Sequence, residues 1–489
     1  MYAFIFRHSL PSIALVLSTA LAAAGEAKES DYWQIQAFPN PDNLVLEVGG
    51  LERTPDGTVY ASTRRGEVYR ITGAEEPDIS KARIQLFAQG LHEALGVSWR
   101  DGSLYVQQRP ELTRLKDEDG DGRADTFETV SDAWGLSGDY HEYAFGSHPD
   151  KAGNFWVTLC LTGSFDSNIL YRGWALRIGP DGKTTATCCG VRSPGGMGFN
   201  AAGDVFYTDN QGPWNGSSSL KWLKPGSFQG HPGGLKWYDQ SGLKAKPEVP
   251  VDQTRMVLER ERNPLLIPPA VILPHSRIGN SPTAIVCDLT GGKFGPYKEQ
   301  LFVAEQSFSN IARVDLEMVG GLYQGAVFPF LEGFSSGLIG MTLSPVGMMF
   351  TGGSDRGWGA KGGKPFNMDR IVWNGKTPFE ILTMRVQPDG FALTFTGPVD
   401  PATAGTVKSY SMEAWTWAFR SEYGGPEVDK FSPVVKNAVV SGDGLSVRLT
   451  VDGMRKGHVH HLRSPGVKSA AGTPLLHKDA YYTLNNFSQ

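Results

Sequence analysis

The sequence predicts an all-β protein: a six-bladed β-propeller followed by a C-terminal immunoglobulin-like β-sandwich. Three observations carry this prediction. The composition holds 60 Gly, 31 Pro and 12 Trp with only 20% charged residues, as in compact chains built of short strands and tight turns. A template of short strands recurs along the chain. After residue 384 that template stops and a different alternating pattern begins.

The template is set by "LERTPDGTVYASTRRGEVYRI" from Leu51: a short apolar strand, an Asp-Gly turn, a second strand, a loop, and a third strand. It returns as "LGVSWRDGSLYVQQRPELTRL", as "YAFGSHPDKAGNFWVTL" with "WALRI", and as "GMGFNAAGDVFYTDNQG" with "SSLKWL". Two further copies are "PTAIVCDLTGGKFGPYKEQLFVAEQSFSNIARV" and "GLIGMTLSPVGMMFTGGSDRGWG" with "MDRIVW". Repetition at roughly 45 to 55 residues, with three or four strands per unit, is the signature of blades around an axis. The propeller is placed at 33–378, with a Gly- and Pro-rich insertion at about 224–277. The segments "DGFALTFTGPVDPATA", "VVKNAVVSGDGLSVRLTVDGM" and "GHVHHLRSPGVKS" place the sandwich at 384–489, in a packing or tethering role.

Residues 1–24 read as a cleaved export signal: Arg7, an apolar run to Leu21, then small residues at Ala22 and Ala24. The run is short for a membrane span, so the expectation is an exported protein, periplasmic or extracellular, with no transmembrane segment after cleavage. A net charge of −5 without a basic block argues against nucleic acid. Cys160, Cys188, Cys189 and Cys287 allow up to two disulfides in an exported chain.

The stretch "KDEDGDGRADTFE" matches a calcium loop at every ligand position. Asp117, Asp119, Asp121, the Arg123 carbonyl, Asp125 and Glu128 are its predicted ligands, with Gly122 at the sharp turn. Strand patterns flank it on both sides, so a helix-pair sensor is disfavoured and a structural calcium site between two strands is expected.

Strand alternation puts the loops entering each first strand and leaving each second strand on the opposite face of the propeller. These loops carry His141 and Glu142, Arg192, Asp209 to Trp214, Arg64, and Asp355 to Trp358. All converge on one end of the central channel.

The segment "GVRSPGGMGFNAAGDVFYTDNQGP" resembles soluble quinoprotein glucose and sorbosone dehydrogenases, which carry G-x-R-N-P-x-G before a similar hairpin and Gly-Pro. The whole chain resembles exported dehydrogenases of that superfamily abundant in planctomycetes and verrucomicrobia, without their c-type haem segment. The resemblance implies pyrroloquinoline quinone at the channel mouth, a second calcium, oxidation of a carbohydrate hydroxyl and a separate electron acceptor. It implies His141 as base; Glu142 and Asp209 are further catalytic candidates on the same face. Arg64, Arg192 and Arg356 become cofactor contacts, and Gly212 and Pro213 the carbonyl source for the second calcium. Ser193 departs from the family's usual Asn. Two other readings use the same face: a noncatalytic glycan-binding propeller with an aromatic rim, and a metal-dependent carbohydrate hydrolase or lyase built on Glu142 and Asp209.

Overall fold

A computed structural model describes residues 1, 27–41 and 44–488; the expected export signal lies outside them. The described chain is nearly all β, as the composition predicts, with α-helical turns only at Met256–Arg262 and Pro401–Ala404 and a few 3-10 segments. No helix among the described residues is long and apolar enough to cross a membrane.

Five consecutive antiparallel groups of four strands begin at Val48, Val97, Ala144, Pro194 and Pro282. A sixth takes Gly340–Leu343, Met348–Ser354 and Phe366–Trp373 from late in the chain and its outer strand, Trp33–Ala37, from the start. The first strands neighbour one another in order, and the sixth neighbours the first, which closes the ring. Crowding at the axis demands small residues: a Cβ on Gly96 would lie 2.1 Å from the Gly146 carbonyl oxygen. Second strands such as Val59–Thr63, Phe155–Leu159 and Leu301–Glu305 are buried at every position. They lie between flanking sheets and so lose the alternation of a half-exposed strand. Outer strands such as Thr126–Ser131 stay largely exposed.

The sequence predicts a separate C-terminal unit; the structure joins it to the ring. The outer strand of the fifth group, Leu322–Glu332, pairs with Asp479–Leu484, so the sheet continues into His458–Arg463, Ser411–Trp417 and Glu427–Phe431. A second four-stranded sheet packs on this extension. Ala326 and Phe328 of the fifth group enter the same core as Phe391, Leu449 and Tyr482. Arg313, fully buried, donates from Nη2 to the Ile381 carbonyl at 2.7 Å and from Nη1 to Leu382 at 2.9 Å. Alternation alone cannot reveal this join, because an outer strand with a free edge and one with a partner carry the same pattern.

All four cysteines are free thiols. Cys188 Sγ donates to the Lys224 carbonyl and Cys160 Sγ to that of Arg192. Burial pushes the Cys188 thiol up to about 12, which makes it unreactive as a nucleophile at neutral pH.

Candidate functional site

A cavity of about 810 Å³ opens where the loops entering first strands and leaving second strands converge. Arg64, His141, Arg192, Asn210, Asn280, Ser281, Gln306, Trp358 and Lys361 line it, and among the described residues no Asp or Glu does. Two of these cations are paired behind the wall, Arg64 with Glu93 at 2.6 Å and Lys361 with Glu332 at 3.5 Å; the Arg192 guanidinium, bonded to backbone carbonyls, leaves a positive charge at the cavity that favours an anionic group.

His141 stands in the wall, its ring edge-on to Trp358 at 5.5 Å and to Tyr140 at 5.2 Å. Burial lowers its pKa from the ordinary 6.5; Arg192 and Arg109 add to this and Asp139 opposes it. The imidazole is therefore neutral at pH 7, the form that accepts a proton.

The loop bearing His141 is fixed from below. Arg109 donates to the carbonyls of Asp139 at 2.8 Å and Tyr140 at 2.7 Å, and its Nε pairs with Glu93 at 2.5 Å. The other oxygen of Glu93 pairs with Arg64 at 2.6 Å, and Arg64 donates to the Arg356 carbonyl on the Trp358 loop. One carboxylate thus ties together the two loops whose rings meet at the cavity. Arg172, fully buried, adds bonds to the carbonyls of Gly135, Glu142, Tyr143 and Arg109. These loops lack regular structure, so guanidinium groups satisfy their buried carbonyls.

Of the residues expected at the site, Arg64, Arg192 and His141 come together. Arg192 is buried and donates to the carbonyls of Gln211 at 2.6 Å, Asn210 and Ser164, with its guanidinium 5.1 Å from the Tyr423 ring centre. The others lie elsewhere. Glu142 is fully buried, and its carboxylate accepts from Ser137 N and Oγ and from Thr162 Oγ1 at 2.7 Å. Asp209, also fully buried, accepts from Lys221 Nζ at 2.8 Å, Tyr207 Oη and Ser193 N. Both carboxylates are held by local donors and neither reaches the cavity, which removes the basis of the hydrolase reading. The Arg356 side chain pairs with Glu47 at 3.0 Å outside the cavity; only its backbone carbonyl serves the site. Gly212 and Asn215 exchange backbone hydrogen bonds in a tight turn, so the Gly212 carbonyl is taken, and Gly212 packs against the cationic Arg192 guanidinium. The Gly212–Pro213 segment therefore does not fit the role of carbonyl donor to a second cation.

The acidic loop leaves the third strand of the second group on the other side of the ring. Carboxylate oxygens of Asp117, Asp119 and Asp125 lie within 4.8 Å of one another, a spacing that one cation can bridge. Gly122 takes φ +90°. Asp121 turns to the Arg123 N–H at 2.8 Å. Glu128 sits on the following strand and pairs with Arg114 across it, so the twelfth loop position lies outside the acid cluster. A strand after the loop holds that side chain on the sheet, where a helix would swing it back. The Ala124 N–H donates to the Phe87 carbonyl, which ties the loop to the first group. Removing Asp117 and Asp119 together by Ala is expected to lower the melting temperature in calcium and to abolish the downward shift that a chelator produces in the parent. Equal chelator shifts in the two proteins would count against a cation here.

The sequence did not single out Tyr143, Tyr423 or Lys361 for the site. Tyr423 comes from the C-terminal segment, far outside the repeated template, and carries no sequence signal for this placement.

A family model described as a domain of unknown function, DUF7133, matches residues 55–264. No curated protein matches in sequence. Among solved structures, an oxidoreductase (glucose dehydrogenase) of Thermus thermophilus is 18% identical with a TM-score of 0.50, covering 70% of this chain and 100% of its own. This likeness shows a shared fold. The PQQ-bound aldose sugar dehydrogenase of Streptomyces coelicolor is 16% identical at TM-score 0.48, covering 70% and 98%. The PQQ domain of pyranose dehydrogenase from Coprinopsis cinerea is 12% identical at 0.49, covering 70% and 95%.

Proposed function

We propose that this chain is an exported, quinone-dependent carbohydrate dehydrogenase: a six-bladed propeller over 33–378 that oxidises a sugar hydroxyl, with an immunoglobulin-like sandwich over 384–489. The observation that carries the reading is the neutral, half-buried His141 in the same cavity wall as the Arg192 guanidinium, which has no carboxylate partner among the described residues.

Pyrroloquinoline quinone is planar and bears carboxylates, and the cavity offers cations and aromatic faces that suit such a group. Arg192, and Lys361 on leaving its exposed partner Glu332, would hold its carboxylates, while Arg64 stays on Glu93 and the Arg356 carbonyl. When bound, the quinone supplies a two-electron acceptor for hydride. His141 would then take the hydroxyl proton, and a neutral imidazole suits that task near pH 7. The Glu93–Arg109 pair keeps the His141 loop in place. Asn280, Ser281 and Gln306 offer donors and acceptors for sugar hydroxyls. A separate carrier must remove the electrons. The calcium reading is confined to the acidic loop.

Dye-coupled oxidation of a panel of sugars, with quinone added to the purified protein, tests this. Turnover is expected, with kcat/KM rising with pH through an acid limb below 6.5, because the His141 pKa is lowered and the base must be unprotonated. Quinone binding without oxidation of any sugar would leave a binding module in place of an enzyme.

A further inference from the structure

The cavity's rim carries exposed aromatic side chains that the proposed chemistry does not use. Tyr140 and Trp358 pair at 5.9 Å beside His141. A second pair, Phe165 and Tyr423, stands apart at 6.5 Å, with the two residues 58% and 57% exposed. Both line the cavity. Exposed rings of this size are ordinarily isolated or covered, so a pair at the mouth of a cavity calls for a ligand.

Tyr423 is held there by the C-terminal segment. Phe419 and Thr254 exchange backbone hydrogen bonds at 2.9 and 3.1 Å, which fastens the loop to the insertion. The Trp214 N–H donates to the Arg420 carbonyl at 2.7 Å, and Asp252 accepts from the Ser421 N–H at 2.7 Å. Arg420 Nε closes the loop on the Gly424 carbonyl, and Arg192 lies 5.1 Å from the Tyr423 ring centre. A loop from outside the ring is thus fixed at several points and delivers one aromatic ring to the cavity.

We propose that Phe165 and Tyr423 form an outer carbohydrate subsite, so that the ligand is an oligosaccharide whose terminal ring enters the cavity and whose next ring stacks at the rim. This rests on the carbohydrate part of the preceding proposal and gives the C-terminal segment a role beyond packing. Sugar rings pair an apolar face with polar edges, which matches aromatic faces beside Ser164, Ser193 and Asn210. A protein or lipid partner would cover the rings and gain nothing from the hydroxyl and amide lining behind them.

The test is calorimetric binding of mono- and tetrasaccharides of the gluco, manno, galacto and xylo series to the full chain, with quinone binding measured separately by absorbance. At least one tetrasaccharide is expected to bind about tenfold tighter than its monosaccharide, the scale of one good stacking contact. Tyr423→Ala and Phe165→Ala should each collapse that ratio toward one, and Tyr423→Phe should keep it. No chain-length advantage in the parent, or an advantage that survives Tyr423→Ala with Phe165→Ala, overturns the proposal. The failures are separable. Sugar oxidation without a chain-length advantage sinks the subsite alone, while a chain-length advantage without quinone binding sinks the dehydrogenase reading and leaves the subsite standing.

Discussion

His141→Ala is expected to lower turnover by roughly 10²- to 10⁴-fold, the contribution of a positioned general base. Among the described residues the ring makes no ion pair, and burial, which outweighs the opposing Asp139, favours its neutral form. Its loop is held by Arg109 and Arg172 through backbone carbonyls, so removing the imidazole leaves the loop fixed. The loss should fall on kcat more than on KM, and quinone should still bind. Single-turnover kinetics with a pre-loaded protein reads this directly. Parental turnover in the variant would remove His141 from the chemistry.

Asp209→Ala is expected to cost about 3–5 kcal/mol of stability, because it strands the Lys221 ammonium in the interior without its partner. The side chains are 0% and 1% exposed at 2.8 Å separation. Lys221 Nζ would keep only the Gln229 carbonyl. Ser193 N and Tyr207 Oη would lose their acceptor as well. Urea unfolding of the variant and the parent measures the difference. Parental stability with turnover abolished would restore Asp209 to the reaction.

Both expectations rest on a distinction that residue type alone does not make. Asp209 ends the strand Val205–Asp209 and Glu142 stands just before the strand Ala144–Pro149, both on the cavity side, and spacing brings the sequence reading that far. Which way each carboxylate turns is set by neighbouring donors that no motif marks: Lys221 on the next strand for one, Thr162 for the other. The strand template was legible because each unit repeats its own turns. The join between the fifth group and Asp479–Leu484 was not, because edge pairing leaves no periodic mark. In the acidic loop the grouping of Asp117, Asp119 and Asp125 was legible; Asp121 turns to the Arg123 N–H, and Glu128 belongs to a strand and pairs across it. Tyr423 was illegible for the same reason as the join, since its place follows from how the C-terminal segment docks on the insertion.

The central claim is that the cation-lined cavity holds pyrroloquinoline quinone, and equilibrium titration of the full chain with that quinone, followed by absorbance, tests it most directly. The account predicts saturable binding in the parent, with affinity weakened in Arg192→Ala, since an arginine facing a carboxylate acts mainly through affinity. A parent protein that binds no quinone would contradict it.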